Sequence, residues 1–168
     1  MTRSTASGTA VRATSLALAG TLLLGLAGCG GSDDAEAEAG EKAFASQAAE
    51  AADQTVCAAG ADVLEAPYAP GFPEAWVFPE DTSVYDVEDR GSTGVIVTAV
   101  STAAFEDILA FLNGPEQQAG FKVTGGETED DDAEANWEAD GFTGRWAIRR
   151  SGSCAGESVI QVLATRSG

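Results

Sequence analysis

Two runs of alternating apolar and polar residues meet at a two-residue turn in the stretch Trp137-Glu138-Ala139-Asp140-Gly141-Phe142-Thr143-Gly144-Arg145-Trp146. Asp-Gly between such runs is typical of a tight β-hairpin. With the turn at Asp140-Gly141, Ala139 faces Phe142 and Trp137 faces Gly144, which leaves room for the indole.

The side-chain period of two predicts two different faces for this hairpin. Arg145 lies on the outer face, diagonal to Glu134 and Glu138, where cross-strand ion pairs contribute a few tenths of a kcal/mol. The opposite face carries only apolar side chains, and we interpret it as core: Ala135, Trp137, Phe142, Trp146 and Ile148.

Further strands are predicted on both sides of the hairpin. Residues 83–89 alternate weakly, as in an edge strand, and residues 95–100 form a continuous β-branched run typical of a strand buried on both faces. Residues 121–127 and 159–164 supply two more strands. A turn at 91–94 joins the first two.

Two helices are also predicted. One has Thr102 as its N-cap, with Glu106 and Asp107 complementing the helix dipole, and ends at Gly114-Pro115. Its apolar stripe consists of Phe105, Ile108, Leu109 and Leu112. The other is an alanine-rich N-terminal helix over residues 41–59. The order predicts an α+β fold: a mostly antiparallel sheet of about five to six strands with one helix packed on a face, plus the N-terminal helix.

Four prolines and four aromatic residues interleave over residues 66–80. This composition favours a structured loop over the core. The alternative is a loop whose aromatic rings line a binding groove.

The N-terminal segment has the pattern of a secretory signal. Arg3 and Arg12 precede an apolar run at 16–24, and Leu26-Ala27-Gly28-Cys29 resembles the lipobox of bacterial lipoproteins. The resemblance implies cleavage before Cys29, with acyl chains such as palmitate on a diacylglyceryl thioether at its sulfur. The alternative is a transmembrane anchor, but residues 13–27 fall short of the ~20 apolar residues that a spanning helix needs.

This interpretation divides the chain into four parts. Residues 1–28 are the signal peptide, 29–40 an acidic flexible tether, 41–65 the N-terminal helix, and 66–168 the α+β domain with its proline-aromatic lead-in. The like charges of the tether keep it extended.

Charge and composition exclude several functions. The 168-residue chain has a net charge of −18, and loss of Arg3 and Arg12 leaves seven basic against 27 acidic residues, or −20. That charge argues against nucleic-acid partners and against lying on anionic lipid. Histidine is absent, which removes the usual general base, the usual zinc ligand and any Ser-His or Cys-His catalytic pair.

Two cysteines remain beside Cys29. Thiols outside the cytoplasm usually pair, so we predict a disulfide between Cys57 and Cys154 that links the N-terminal helix to the sheet. Two free thiols are the alternative.

The residues 129–134 form the densest charge cluster. Asp130, Asp132 and Glu134 have the alternating spacing of calcium ligands. Ala135 stands where a calcium loop needs glycine, so a solvated turn is the favoured interpretation and calcium the alternative.

A carboxylate-dependent hydrolase is a further, less favoured possibility. Glycosidases act through paired acids, and the candidates are Asp86, Glu88 and Asp89.

Phe78-Pro79, the passage 105–123 and Gly144-Arg145-Trp146 are similar to small secreted lipoproteins of high-GC Gram-positive bacteria, over roughly residues 78–165. The resemblance carries no catalytic residue. We therefore expect a non-enzymatic binding or accessory module without a cofactor, anchored by lipid on the extracytoplasmic face of the cell membrane. Its expected partner is an envelope protein or a small ligand.

Overall fold

A computed structural model of the protein describes residues 33–53, 56–114 and 120–168. Within these described ranges, two α-helices, six strands and two 3-10 turns, Ala58–Gly60 and Gly91–Thr93, follow one another. In chain order the helices and strands are α1 Asp33–Asp53, β1 Thr82–Asp89, β2 Val95–Ser101, α2 Phe105–Leu112, β3 Phe121–Thr128, β4 Asp132–Ala139, β5 Phe142–Arg150 and β6 Ser158–Arg166.

The six strands form a single sheet in the order β1-β2-β6-β5-β4-β3, and every neighbouring pair is antiparallel. The predicted sheet-dominated fold is therefore confirmed. The strand β2 is buried along its whole length, as its continuous β-branched run predicts, and β6 is buried along most of its length. The strand β1 lies at an edge, also as predicted.

The hairpin of β4 and β5 has the register expected from Asp140-Gly141. Ala139 pairs with Phe142 and Trp137 with Gly144, and Gly141 adopts a φ of 73°. A Cβ atom on Gly144 would overlap the Trp137 ring and the Leu163 carbonyl oxygen. Glycine at this position is therefore what lets the indole lie flat against the sheet.

One face of the sheet, which we call the aromatic face, carries the main core. Its buried side chains include Val97, Trp137, Trp146, Ile148 and Ile160. The helix α2 packs over it through one apolar stripe, of which Phe105, Ile108 and Leu112 are buried.

The predicted N-cap of α2 is wrong. Ala104 occupies that position and makes no side-chain cap, so the helix starts two residues after the predicted boundary. Instead, the Ala103 N–H donates a hydrogen bond of 3.2 Å to the Ser101 hydroxyl, which gives this backbone N–H a partner just before the helix begins.

The opposite face, which we call the polar face, presents the alternate residues of the same strands. Thr98, Gln161, Arg145 and Glu134 lie on it. The helix α1 lies over β5 and β6 on this face. The contact is small: Phe44 and Ala48 pack with Ile96 and Ala147, and Leu163 adds to the edge.

The boundaries of α1 differ from the predicted 41–59. Asp33–Asp53 is helical, so residues 33–40 are not the extended tether that we expected. Alanine and glutamate are strong helix formers, and acidic residues at a helix N-terminus stabilise the dipole. The chain is extended again at Cys57, with φ −66° and ψ 151°.

The proline-aromatic loop covers one end of the aromatic face. Phe72 and Trp76 are buried in the main core, and the Trp76 ring lies 5.1 Å from those of Phe121 and Trp137. The prediction of a structured loop over the core is confirmed.

Candidate ligand-binding groove

The proline-aromatic loop also forms one wall of an open groove, which we call the Tyr68 groove. Backbone hydrogen bonds shape the loop: the Phe72 N–H donates to Ala69 at 3.0 Å and the Trp76 N–H to Pro73 at 3.1 Å. The groove has a volume of about 530 Å³, within the range of small-ligand sites. Its lining comes from the loop and from the ends of β5 and β6: Pro67, Tyr68, Ala69, Pro70, Phe72, Glu74, Phe142 and Arg166.

Aromatic rings hold the wall of the Tyr68 groove in place. The Tyr68 ring makes edge-to-face contacts with Phe72 at 5.9 Å and Phe78 at 5.8 Å. Such pairs contribute about 0.5–1.5 kcal/mol beyond their buried area. Because Phe72 is buried in the core, it gives the Tyr68 ring a fixed support where Tyr68 lines the groove.

Arg166 supplies the positive charge of the groove. Its guanidinium lies 5.2 Å from the centre of the Phe142 ring and donates to the Pro70 carbonyl. Within the described ranges no carboxylate forms an ion pair with it, whereas Arg90, Arg145, Arg149 and Arg150 each have at least one carboxylate partner. Arg166 therefore keeps N–H donors for another acceptor.

The groove also perturbs a titrating group. Burial raises the pKa of the Tyr68 phenol, and the nearby Glu65 carboxylate raises this pKa further. The hydroxyl is therefore a neutral hydrogen-bonding group at physiological pH. The combination of apolar rings, a neutral hydroxyl and a guanidinium suits binding of a ring-bearing ligand that offers a hydrogen-bond acceptor.

Phe142 and Arg166 were not predicted as site residues. Phe142 was assigned to the core face, and its side chain is partly buried against the core. Arg166 is 96 residues away from Pro70, its hydrogen-bond acceptor. No local pattern signals such a contact.

Arginines pair with the carboxylates of two of the three predicted cation ligands, Asp132 and Glu134. The Asp132 carboxylate pairs with Arg149 at 2.9 Å, and Glu134 pairs with Arg145, the diagonal contact that the hairpin register predicts. The backbone carbonyl of Asp130 accepts from Arg150 at 3.4 Å. These pairs neutralise much of the negative charge on which a calcium site depends.

Nor does the structure bring Asp130, Asp132 and Glu134 together as ligands. Across the part of the chain that the structure describes, one group of three potential ligand side chains lies within 4.8 Å of one another: Cys57, Cys154 and Glu157. The two cysteines of this group form a disulfide bond with each other.

Two of the three acids considered for hydrolysis have structural contacts. Glu88 pairs with Arg90 at 2.9 Å, and Asp89 accepts from the Gly91 N–H at 2.8 Å in the turn after β1. Asp86 is exposed beside a bulge in β1.

The disulfide between Cys57 and Cys154 is present, as predicted, with a Cα–Cα distance of 5.5 Å. It joins the segment after α1 to the loop between β5 and β6. Glu157 supports the same junction by accepting from the Ala58 N–H at 2.9 Å.

Comparison with known proteins finds no matching family model, no matching curated protein and no matching solved structure. Cys29, the predicted lipidation site, lies outside the described residues. Among the helices that are described, none has the length and apolar character needed to span a membrane.

Proposed function

We propose that the protein is an extracytoplasmic lipoprotein whose folded domain binds a small envelope ligand in the Tyr68 groove, without catalysing a reaction. The observation that carries the binding function is the groove itself. Its aromatic wall is open, and its guanidinium has no carboxylate partner among the described residues.

The chemistry of the ligand follows from the lining. Tyr68 offers a ring surface for stacking, and Arg166 and the Tyr68 hydroxyl offer donors. Glu74 at the groove and the net charge of the chain disfavour an anion. The ligand is therefore a ring-bearing molecule of low charge with a carbonyl or hydroxyl oxygen for Arg166.

The location rests on the N-terminal segment and on the disulfide. The Leu26-Ala27-Gly28-Cys29 motif supports lipidation, and a disulfide over a sequence separation of 97 is typical of an oxidising compartment. Because α1 starts at Asp33, three residues lie between Cys29 and the helix, so the domain is held close to the membrane.

Mass spectrometry of the native protein tests the location. We expect an N-terminus at Cys29 that carries the mass of a diacylglyceryl group. A chain that retains Met1, or an unmodified thiol at Cys29, would overturn the lipoprotein assignment.

Site-specific photocrosslinking in intact cells tests the groove. A photoreactive phenylalanine derivative at Tyr68 should yield a ligand adduct, whereas the same group at Lys122, an exposed position on β3, should not. Arg166→Gln should reduce the Tyr68 adduct at least about tenfold, since it removes a charged hydrogen-bond donor. Equal adducts at both positions would contradict the proposal.

A further inference from the structure

A second pocket lies on the polar face, between β1 and the C-terminal half of α1, and we call it the Gln161 pocket. It has a volume of about 280 Å³ and is lined by Glu50, Tyr85, Asp86, Thr98 and Gln161 among others. It belongs to the opposite side of the sheet from the Tyr68 groove, so it is independent of the function proposed above.

The floor of this pocket contains a buried acceptor without a donor. Gln161 is 4% exposed, and its Nε2 atom donates to the Thr98 hydroxyl at 3.2 Å. Its Oε1 atom has no hydrogen-bond partner among the described residues. A buried carbonyl oxygen in this state destabilises the fold, and a residue kept at such a cost needs an explanation.

The walls of the pocket are acidic. Glu88 is already paired with Arg90 and lies 3.5 Å from the Gln47 amide. Glu50 and Asp86 form no ion pair with any described residue. The half-buried Tyr85 adds an aromatic surface, which attracts cations through its ring face.

These groups are spaced for an organic cation rather than a bare metal ion. Among the described residues, the carboxylates of this pocket do not form a set of three with ligand oxygens within 4.8 Å. The volume also exceeds the ~30 Å³ that one water molecule occupies in the liquid. A ligand with several N–H donors spread over a few ångströms fits this arrangement.

We infer that the Gln161 pocket binds a protonated amine or a guanidinium group. One N–H of the ligand donates to Gln161 Oε1, and Glu50 and Asp86 neutralise its charge. This chemistry is shared by a lysine or arginine side chain of a partner protein and by a free polyamine.

Binding is tested on the full chain by calorimetry and by NMR of the Gln161 side-chain amide. The probes are N-acetylarginine amide, putrescine and, as a neutral isostere, N-acetylcitrulline amide. We expect saturable shifts with arginine amide or putrescine and none with citrulline amide. Preference for arginine amide indicates a protein side chain, and preference for putrescine a free polyamine.

Three results would overturn the inference. These are no saturable shift with either cation, equal binding of the citrulline amide, and full displacement of the cation by an equal concentration of calcium.

Variants test whether cation binding depends on the pocket itself or on the overall negative charge of the protein. Gln161→Met should weaken binding about tenfold or more while leaving the melting temperature unchanged or higher, because it removes the unpartnered acceptor at similar volume. Glu50→Gln and Asp86→Asn should each weaken binding several-fold.

Glu138→Gln is the matched control, since it removes the same charge from an exposed site on the polar face outside the pocket. It should change the affinity less than about twofold at physiological salt, where charges beyond about 8 Å are screened. If it weakens binding as much as Asp86→Asn does, the pocket is not the site. Asp86 is exposed, so this comparison remains decisive even if Gln161→Met does not fold.

Discussion

The aromatic face of the sheet buries Trp137, Trp146 and Ile148 under α2 and the proline-aromatic loop, whereas the polar face keeps Thr98 and Gln161 under α1. The first face has a continuous apolar core. Among the described residues, the second has a small apolar cluster around Phe44, with the Glu134–Arg145 ion pair and the unpartnered Gln161 Oε1 atom on the same face. Two faces of one sheet can therefore differ in how much of their stability comes from apolar burial.

The two faces also differ in how tightly their side chains pack and in how much open space they leave for a ligand. Interdigitated rings on the aromatic face fix the position of the Tyr68 groove at its edge. On the polar face the thin contact of α1 leaves open space beside the helix, and the Gln161 pocket occupies part of it.

Among the changes that test the difference between the two faces, removal of the disulfide should have the largest effect on stability. The double variant Cys57→Ser, Cys154→Ser should lose about 4 to 5 kcal/mol of unfolding free energy, because the link closes a long loop. Urea denaturation measures the loss. Reduction of the wild-type protein should reproduce it, and an unchanged midpoint in both experiments would show that the junction beside the polar face contributes little.

Gly144→Ala tests the packing of the aromatic face. The added Cβ would meet the Trp137 ring and the Leu163 carbonyl oxygen, so we expect a loss of about 1–3 kcal/mol in thermal or urea denaturation. Gly125→Ala on β3 is the matched control, because a Cβ there has nothing within 4 Å. Similar losses in the two variants would contradict the close fit of the indole.

Phe44→Ala tests the thin covering of the polar face. Burial of a phenylalanine contributes about 1.5–3 kcal/mol, so amide exchange in α1 should accelerate about tenfold to a hundredfold. Exchange in β2 and β6 should stay unchanged if α1 opens without the sheet. Lys42→Ala, at an exposed position of the same helix, should have little effect.

Sequence patterns predicted the sheet because its strands are marked by local signals. The Asp140-Gly141 turn defined the hairpin register, and the β-branched run of residues 95–100 identified the central strand. These features depend on backbone geometry and on side-chain period, and both are encoded within a few residues.

Other features depend on contacts between distant segments and were missed or misplaced. The start of α1 was placed too late, because acidic alanine-rich sequence is typical of both a tether and a helix. The order β1-β2-β6-β5 required knowing that β6 inserts between two earlier strands. The Tyr68 groove joins a loop to residues about 70 to 100 positions later, and neither Arg166 nor Gln161 stands out in the sequence.

The smallest expected effect concerns the titration of Tyr68, which reports on the edge of the aromatic face. Burial, followed by the Glu65 charge, raises the pKa of Tyr68 above 10.0. The folded state therefore holds this proton more tightly than the unfolded chain does. Its contribution to stability is fully present below the unfolded pKa and is lost as the pH rises through the folded pKa.

The chain has two tyrosines, so Tyr85→Phe leaves Tyr68 as the single source of tyrosinate absorbance. The midpoint of the Tyr68 titration in this variant should lie above 10.0. Glu65→Gln should lower this midpoint without abolishing the shift, because burial is the larger cause. A midpoint at or below 10.0 would mean that Tyr68 is solvated and that the groove wall is not held as described. Since a ligand that covers the phenol removes more water from it, ligand binding in the Tyr68 groove should raise the midpoint further.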